Sequence, residues 1–300
     1  MPNRLEPALN GERQLLQSNG RQLNLYVAGQ GAPVLLIHSV NAAASAAEVR
    51  PLHECLRASR RVFSLDLPGY GFSDRSDRAY TPRVMTDAIH AAVDLIRQQT
   101  GSQKVDTLAV SLSCEFLARA ATEEPAHFRS LALVSPTGLG SRDKRRGPPG
   151  STLAMPWLLR ALRGPGWGRW LFRGLTRPGV VRFFLQKTWG SKAIDEPMWR
   201  YAVATAQQDG AEHAPLHFLS GGLFSRDIQN IYESLTQPTW MSHGVRGDFT
   251  DYGQKTLVAS KPNWRISVYQ TGAMPYFEST EAFCADYTAF MAVASARPGS

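Results

Sequence analysis

Long apolar runs are missing from this 300-residue chain: no stretch approaches the roughly 18 residues that cross a bilayer. The first segment, MPNRLEPALNGERQLLQ, lacks the basic-then-apolar layout of a secretory leader, so a cytoplasmic location is expected. Cysteine is scarce. The three residues, Cys55, Cys114 and Cys284, are widely spaced and odd in number, which predicts neither a disulfide framework nor a zinc pattern and fits a reducing compartment. No glycine-rich phosphate loop and no cluster of metal ligands occurs, so neither cofactor nor metal is expected. Acid is scarce in one place. Between Ser141 and Lys192 twelve Lys/Arg accompany a single acid, Asp143, giving that segment +11 where the whole chain carries +8 and the remainder −3. This is a near-neutral protein with a cationic insertion, and without a recognition motif nucleic acid is not an expected partner.

The order of periodicities gives the architecture. Arg13–Gln17 and Gln22–Val27 flank Ser-Asn-Gly, a hairpin signal, and Pro33–Ile37 is the short apolar run of a buried parallel strand. Arg61–Asp66, Val105–Val110 and Ser130–Val134 read as further strands. Helices are expected from Thr81–Pro82 to about Gln99, where Met85, Ile89, Ala92, Val93 and Ile96 keep helical spacing, and over Leu112–Thr122. Alternating strand and helix predicts an α/β fold with a mostly parallel central sheet flanked by helices. The alternation stops at Ser135 and resumes with a strand at Thr239–His243, a helix near Tyr252–Ala259, a strand at Trp264–Gln270 and a closing helix from Glu278 to Val293. Residues 1–136 and 237–300 are thus expected to form the sheet domain, and residues 137–236 a helical cap inserted after the sixth strand.

The most informative segment for chemistry is Leu108-Ala109-Val110-Ser111-Leu112-Ser113-Cys114. A strand turning at once into a helix, with serine at the apex and small residues two positions either side, is the layout of a nucleophile elbow. Ser111 would stand over the carboxyl edge of the sheet, where open α/β folds bind ligands, with the Leu112 N–H behind it. A serine capping an ordinary strand–helix junction is the alternative.

Four segments resemble the α/β-hydrolase superfamily, in its capped, esterase- or lipase-like branch, from about residue 10 to 294. Leu35-Leu36-Ile37-His38-Ser39-Val40 is similar to the strand and oxyanion loop, and Asp66-Leu67-Pro68-Gly69-Tyr70-Gly71-Phe72-Ser73 to the Asp-x-x-Gly-x-Gly-x-Ser loop. The elbow is the third, and Gly272-Ala273-Met274-Pro275 is similar to the loop that normally reads Gly-His-x-Pro. The resemblance implies Ser111 as nucleophile, Asp248 as the orienting acid with Asp251 as its competitor, and the N–H groups of Val40 and Leu112 as oxyanion donors. It also shows a departure. The base position holds Ala273. His-Gly has become His-Ser and Gly-x-Ser-x-Gly has become Ala-x-Ser-x-Ser, coordinated changes that suggest a divergent branch.

A serine hydroxyl is a poor nucleophile until an imidazole takes its proton, so a substitute base is sought among the histidines. His243, at the end of the seventh strand, and His217 and His213, late in the cap, are the candidates, each with a plain packing or solvent-facing alternative. His38 is expected to bond backbone in the oxyanion loop. Cys114 is expected to be a buried filler. The implied activity is attack on an ester, thioester or similar carbonyl of a largely apolar small molecule, with an incomplete triad. The alternative is a non-hydrolytic member, binding a ligand or running lyase or cyclase chemistry in the same capped pocket. Trp157, Trp167, Trp170, Trp189 and Trp199 interleave with Arg160, Arg163, Arg169, Arg173, Arg177 and Arg182 in the insertion. That array predicts an apolar, anionic ligand or a peripheral contact with an anionic membrane, against the plainer reading of aromatics packed on the sheet domain.

Overall fold

Asn19 and Gly20 both have positive φ (50° and 69°), the backbone that a two-residue hairpin requires, and they join β1 (Glu12–Ser18) to β2 (Arg21–Ala28). The computed structural model describes residues 5–164 and 167–296, apart from the side chain of Trp167, so that member of the aromatic array lies outside the described residues. The chain continues through β3 (Pro33–Ile37), α1 (Arg50–Leu56), β4 (Arg61–Leu65), α2 (Pro82–Thr100), β5 (Val105–Val110), α3 (Ser113–Glu123) and β6 (Phe128–Val134). Six helices follow before the next strand: α4 (Pro156–Leu162), α5 (Trp167–Leu175), α6 (Pro178–Trp189), α7 (Glu196–Ala206), α8 (His213–Leu219) and α9 (Ile228–Ser234). The chain then closes with β7 (Thr239–Gly244), α10 (Thr256–Ala259), β8 (Trp264–Tyr269), α11 (Pro275–Glu278) and α12 (Thr280–Ser295).

The eight strands form one sheet in the order β1-β2-β4-β3-β5-β6-β7-β8. The β1–β2 and β2–β4 pairs are antiparallel and every other pair is parallel. Period-two alternation sends Leu35 and Ile37 of β3 to one face, packed with Met85, Ile89 and Val93 of α2 and Phe116 of α3. Val34 and Leu36 go to the other, with Leu52 of α1 and Tyr287 and Met291 of α12. Burial on both faces is why β3 reads as an unbroken apolar run.

Two expectations are corrected. The helix near Tyr252–Ala259 shrinks to a 3₁₀ turn at Gly253–Lys255 and the single turn of α10. Cys55 and Cys284, 229 residues apart, form a disulfide because α1 and α12 pack on the same face of the sheet; Cys114 alone is free, and it is buried. Linear spacing says nothing about two cysteines brought together by tertiary packing.

Candidate active site

Three loops at the carboxyl edge of the sheet meet around Ser111. At the end of β5 the chain reverses with Ser111 at φ +55°, a left-handed backbone that a non-glycine residue adopts only under constraint. The constraint is visible. Ser111 N–H donates to Val134 O at 2.8 Å, and Ser113 Oγ donates to His38 O at 2.6 Å, tying the helix start to the oxyanion loop. Ser113 in place of the usual glycine therefore links the two loops. Ser111 Oγ has no partner among the described residues.

His38 is fully buried. Its Nδ1 donates to Ser39 O (2.6 Å) and its Nε2 accepts from Leu67 N–H (3.0 Å), so both nitrogens are spent on backbone. Burial lowers its pKa from 6.5 to about 4, leaving a neutral ring. Glu48, buried without a cation, accepts from Ser39 N–H (2.7 Å) and from Asn41 Nδ2 (2.7 Å), and burial raises its pKa. Glu48 thus fixes the loop that carries Val40. Neither Val40 nor Leu112 donates its backbone N–H to any described group, and both residues are buried. Two free donors beside an apical hydroxyl can hold a carbonyl oxygen as it gains charge.

The Asp66 loop completes this side. Asp66 accepts from Ala46 N–H (2.8 Å), Asn24 Nδ2 (2.9 Å) and Phe72 N–H (3.0 Å). A Cβ on Gly71 would lie 2.0 Å from the Asp66 carboxyl carbon, which explains the second glycine of the motif. Its role is structural.

A cavity of about 460 Å³ opens over Ser111, lined among others by Ser135, Arg145, Met155, Phe249, Tyr252 and Asp248. Arg145 comes from the basic linker RDKRRGPPG. It is buried against Glu115 of α3 at 2.7 Å, and Glu115 also accepts from Ser225 N–H (2.8 Å) and from Thr137 Oγ1. Burial raises the Glu115 pKa against the pull of Arg145. A lone Glu inside the apolar run of α3 was the available signal for this anchor, and Glu48 in its alanine-rich stretch was the signal for the loop brace.

The opposite side differs. Asp248 lines the cavity with Ser111, but its carboxylate is exposed and lies 3.5 Å from Lys187 Nζ. Asp251 is also at the cavity, held by Ser141 N–H (2.9 Å), Ser141 Oγ (2.5 Å) and Gly253 N–H (3.1 Å), bonds that lower its pKa. Neither acid bonds a histidine. Ala273 N–H donates to Thr188 O (2.9 Å), so the end of α6 is bonded to the position where the resemblance places the base. A Cβ on Gly272 would meet Trp189 Cα at 2.6 Å, and one on Gly247 would meet Lys187 O at 2.2 Å.

None of the histidine candidates lines the cavity. His243 donates through Nδ1 to Gly244 O (2.9 Å) and stacks on Tyr252 with ring centroids 4.2 Å apart; burial lowers its pKa, and its Nε2 is buried without a partner. His217 packs edge-on to Tyr80 at 5.7 Å, with its pKa lowered to about 4 by burial and by Arg163. His213 Nδ1 lies 3.4 Å from Asp77. The Cys114 thiol is pushed up by burial and donates to Ala109 O at 3.2 Å, as expected of a filler. Among the described residues the ligand atoms of Asp94, Glu124 and His127 converge away from this cavity; Arg97 also reaches His127 Nε2 (2.8 Å), and its charge opposes a cation there.

The profile of a family described as the alpha/beta hydrolase fold matches residues 32–163. No curated protein matches the chain in sequence. Among solved structures, a serine hydrolase involved in carbazole degradation superposes with a TM-score of 0.75 at 16% identity, covering 95% of this chain and 100% of its own. A bacterial membrane phospholipase A, described as a virulence factor, gives 0.69 at 19% identity over 95% and 87%. A meta-cleavage product hydrolase of Pseudomonas fluorescens gives 0.71 at 16% over 94% and 98%. The chain has the α/β-hydrolase fold.

Proposed function

We propose that this chain polarises and attacks the carbonyl of an ester, thioester or similar group in a largely apolar small molecule, with Ser111 as nucleophile and no imidazole base. One observation carries the reading: Ser111 Oγ is free at a left-handed elbow, followed directly by the unengaged N–H of Leu112, and the Val40 N–H, in the loop that Ser113 ties to that elbow, is unengaged too. In the proposed reaction the Ser111 oxygen bonds the carbonyl carbon, and the N–H pair holds the oxyanion. The hydroxyl proton leaves to water in the cavity or to the departing group, whose bond then breaks, and water releases the acyl group from Ser111. Loss of a triad base costs on the order of 10⁶ in turnover and leaves roughly 10³–10⁴ over water from the oxyanion hole and binding. Slow turnover follows.

A second reading is favoured by the bond from Ala273 N–H to Thr188 O, which commits the base position to packing. In it the cavity binds its ligand, or runs lyase or cyclase chemistry, without acyl transfer. A fluorophosphonate probe with mass spectrometry separates the two. The first reading expects slow phosphonylation of Ser111 that disappears in Ser111→Ala. An unlabelled Ser111 after prolonged exposure, in a folded protein, would sink it in favour of the second.

A further inference from the structure

The segment between β6 and β7, with the loop after β7, exposes side chains that a water-facing surface does not need. Met155, Trp157, Trp170, Phe183, Phe184 and Phe249 are between 39% and 73% exposed. Met155 lines the Ser111 cavity and leads directly into α4, and Phe249 lines it from the loop after β7. A neighbouring recess holds Phe183, Lys187, Lys192 and Asp248, and shares Asp248 with that cavity. The apolar mouth of the cavity is therefore continuous with the outer face of α6 and the start of α4. α4 packs on α5 and α5 on α6, so the exposed Trp170 belongs to the same three-helix unit.

The charge of this unit selects the occupant. The segment from Ser141 to Lys192 carries +11 against −3 for the rest of the chain. Arg160, Arg173, Arg177 and Lys192 have no carboxylate among the described residues within salt-bridge distance. Arg173 and Arg177 line a recess of about 390 Å³ together with Asp209 and with Glu212, which is paired with Arg169. The acids at the mouth are answered locally: Asp248 faces Lys187, and Asp251 lies near Arg142. Arg145, Arg146, Arg163, Arg169, Arg182 and Lys187 are paired with acids from outside the segment. A second copy of this chain is disfavoured, because a self-complementary contact would set the unpaired Arg160, Arg173, Arg177 and Lys192 of one copy against those of another. Exposed tryptophan and phenylalanine among unpaired cations match the interface of an anionic bilayer, where the rings enter the headgroup region and the cations meet phosphate.

We propose that α4–α6 dock this protein on anionic phospholipid membranes, with the mouth of the Ser111 cavity turned toward the lipid. The docking stands on surface chemistry and does not require that Ser111 perform acyl transfer.

The test is sedimentation of the full chain with phosphatidylcholine vesicles, with and without phosphatidylglycerol, at low and high salt. The expected result is binding that needs phosphatidylglycerol and weakens with salt, and that drops about fivefold for each of Arg160→Ala, Arg173→Ala and Lys192→Ala. The pair Trp157→Ser and Phe183→Ser lowers it further, while Val293→Ser, which removes an exposed side chain on α12, leaves it unchanged. Brominated lipid should quench tryptophan emission in the wild type. Equal partitioning into both vesicle types would overturn the proposal. So would an equal loss with Val293→Ser, or binding to single-stranded DNA that displaces vesicles while brominated lipid leaves emission untouched.

Discussion

The two sides of the Ser111 cavity have been treated differently. On the Ser111 side, the Ser113 tie and the Glu48 brace hold the elbow and the Ser39 loop by buried hydrogen bonds, and the N–H groups of Val40 and Leu112 have no described acceptor. On the other side Asp248 faces a lysine, Ala273 bonds the end of α6, and glycines 247 and 272 allow backbone to meet backbone where no Cβ would fit. Preorganisation for holding an oxyanion is separable from proton transfer; under the proposed reading this chain keeps the first, while Ala273 stands where the resemblance places the base. A fold can keep a strained elbow where no imidazole stands beside it.

Breaking the preserved side should have the largest effect. Glu48→Leu leaves the Ser39 N–H without its acceptor and the Asn41 amide with Ser39 Oγ alone, and frees the loop that carries Val40. Misplacing one oxyanion donor costs about 10²–10³ in rate. Fluorophosphonate labelling of Ser111 should slow by that factor, and Glu48→Gln, which keeps one acceptor oxygen, should slow it by only about tenfold. Labelling unchanged in Glu48→Leu would show that the brace is not what sets the donors.

His38 gives the next effect. Its folded pKa of about 4 lies below the free value of 6.5, so the unfolded chain binds the proton first as pH falls. The stability His38 contributes is present above pH 6.5 and is lost toward pH 4, up to about 3 kcal/mol. Glu48, Asp66 and Glu115 have raised pKa values and oppose this, so the readout is the difference between wild type and His38→Gln. The wild-type advantage in denaturant unfolding should shrink between pH 7 and pH 4.5. A constant advantage would place the proton elsewhere.

Gly272→Ala probes the packed side. Its Cβ would press on the Trp189 backbone, costing about 1–3 kcal/mol in stability by thermal unfolding. Ser111 labelling should stay within about twofold, because the nucleophile side does not depend on that contact. A labelling loss matching Glu48→Leu would join the two sides into one unit.

What could be read from sequence follows the range of the interaction. The hairpin, β3 and the Asp66 loop were legible because their signals are local: Asn19-Gly20 turns the chain, apolar runs fill a sheet covered on both faces, and Gly71 abuts a carboxylate five residues away. Ser111 was legible because strain confines its neighbours to small residues. α1 is preceded by Val49 with no side-chain cap, so only Pro51 in its first turn marked its start. Arg145 in its basic run gave no sign of its burial, since its partner Glu115 lies 30 residues away. The Cys55–Cys284 bond and the meeting of Gly247 and Gly272 with α6 depend on chain segments far apart in sequence, and a loop glycine looks the same whether it turns freely or meets another backbone.

The smallest expected effect is the sharpest test of the comparison. Ala273→His restores the residue that the resemblance calls for, and in a site short of that residue alone it would recover much of the roughly 10⁶ that a triad base supplies. Here it should accelerate Ser111 labelling less than about tenfold. The Ala273 N–H is already bonded to Thr188, the Trp189 backbone packs against Gly272, and the Asp248 carboxylate that should orient an imidazole faces Lys187 instead. A histidine without an orienting acid is held in neither the tautomer nor the direction that proton transfer needs. Adding Lys187→Ala releases Asp248, so the double variant should exceed the product of the two single effects. A gain above about 10³ from Ala273→His alone would mean that α6 yields readily, and that the two sides differ by one side chain rather than by how the backbone is packed.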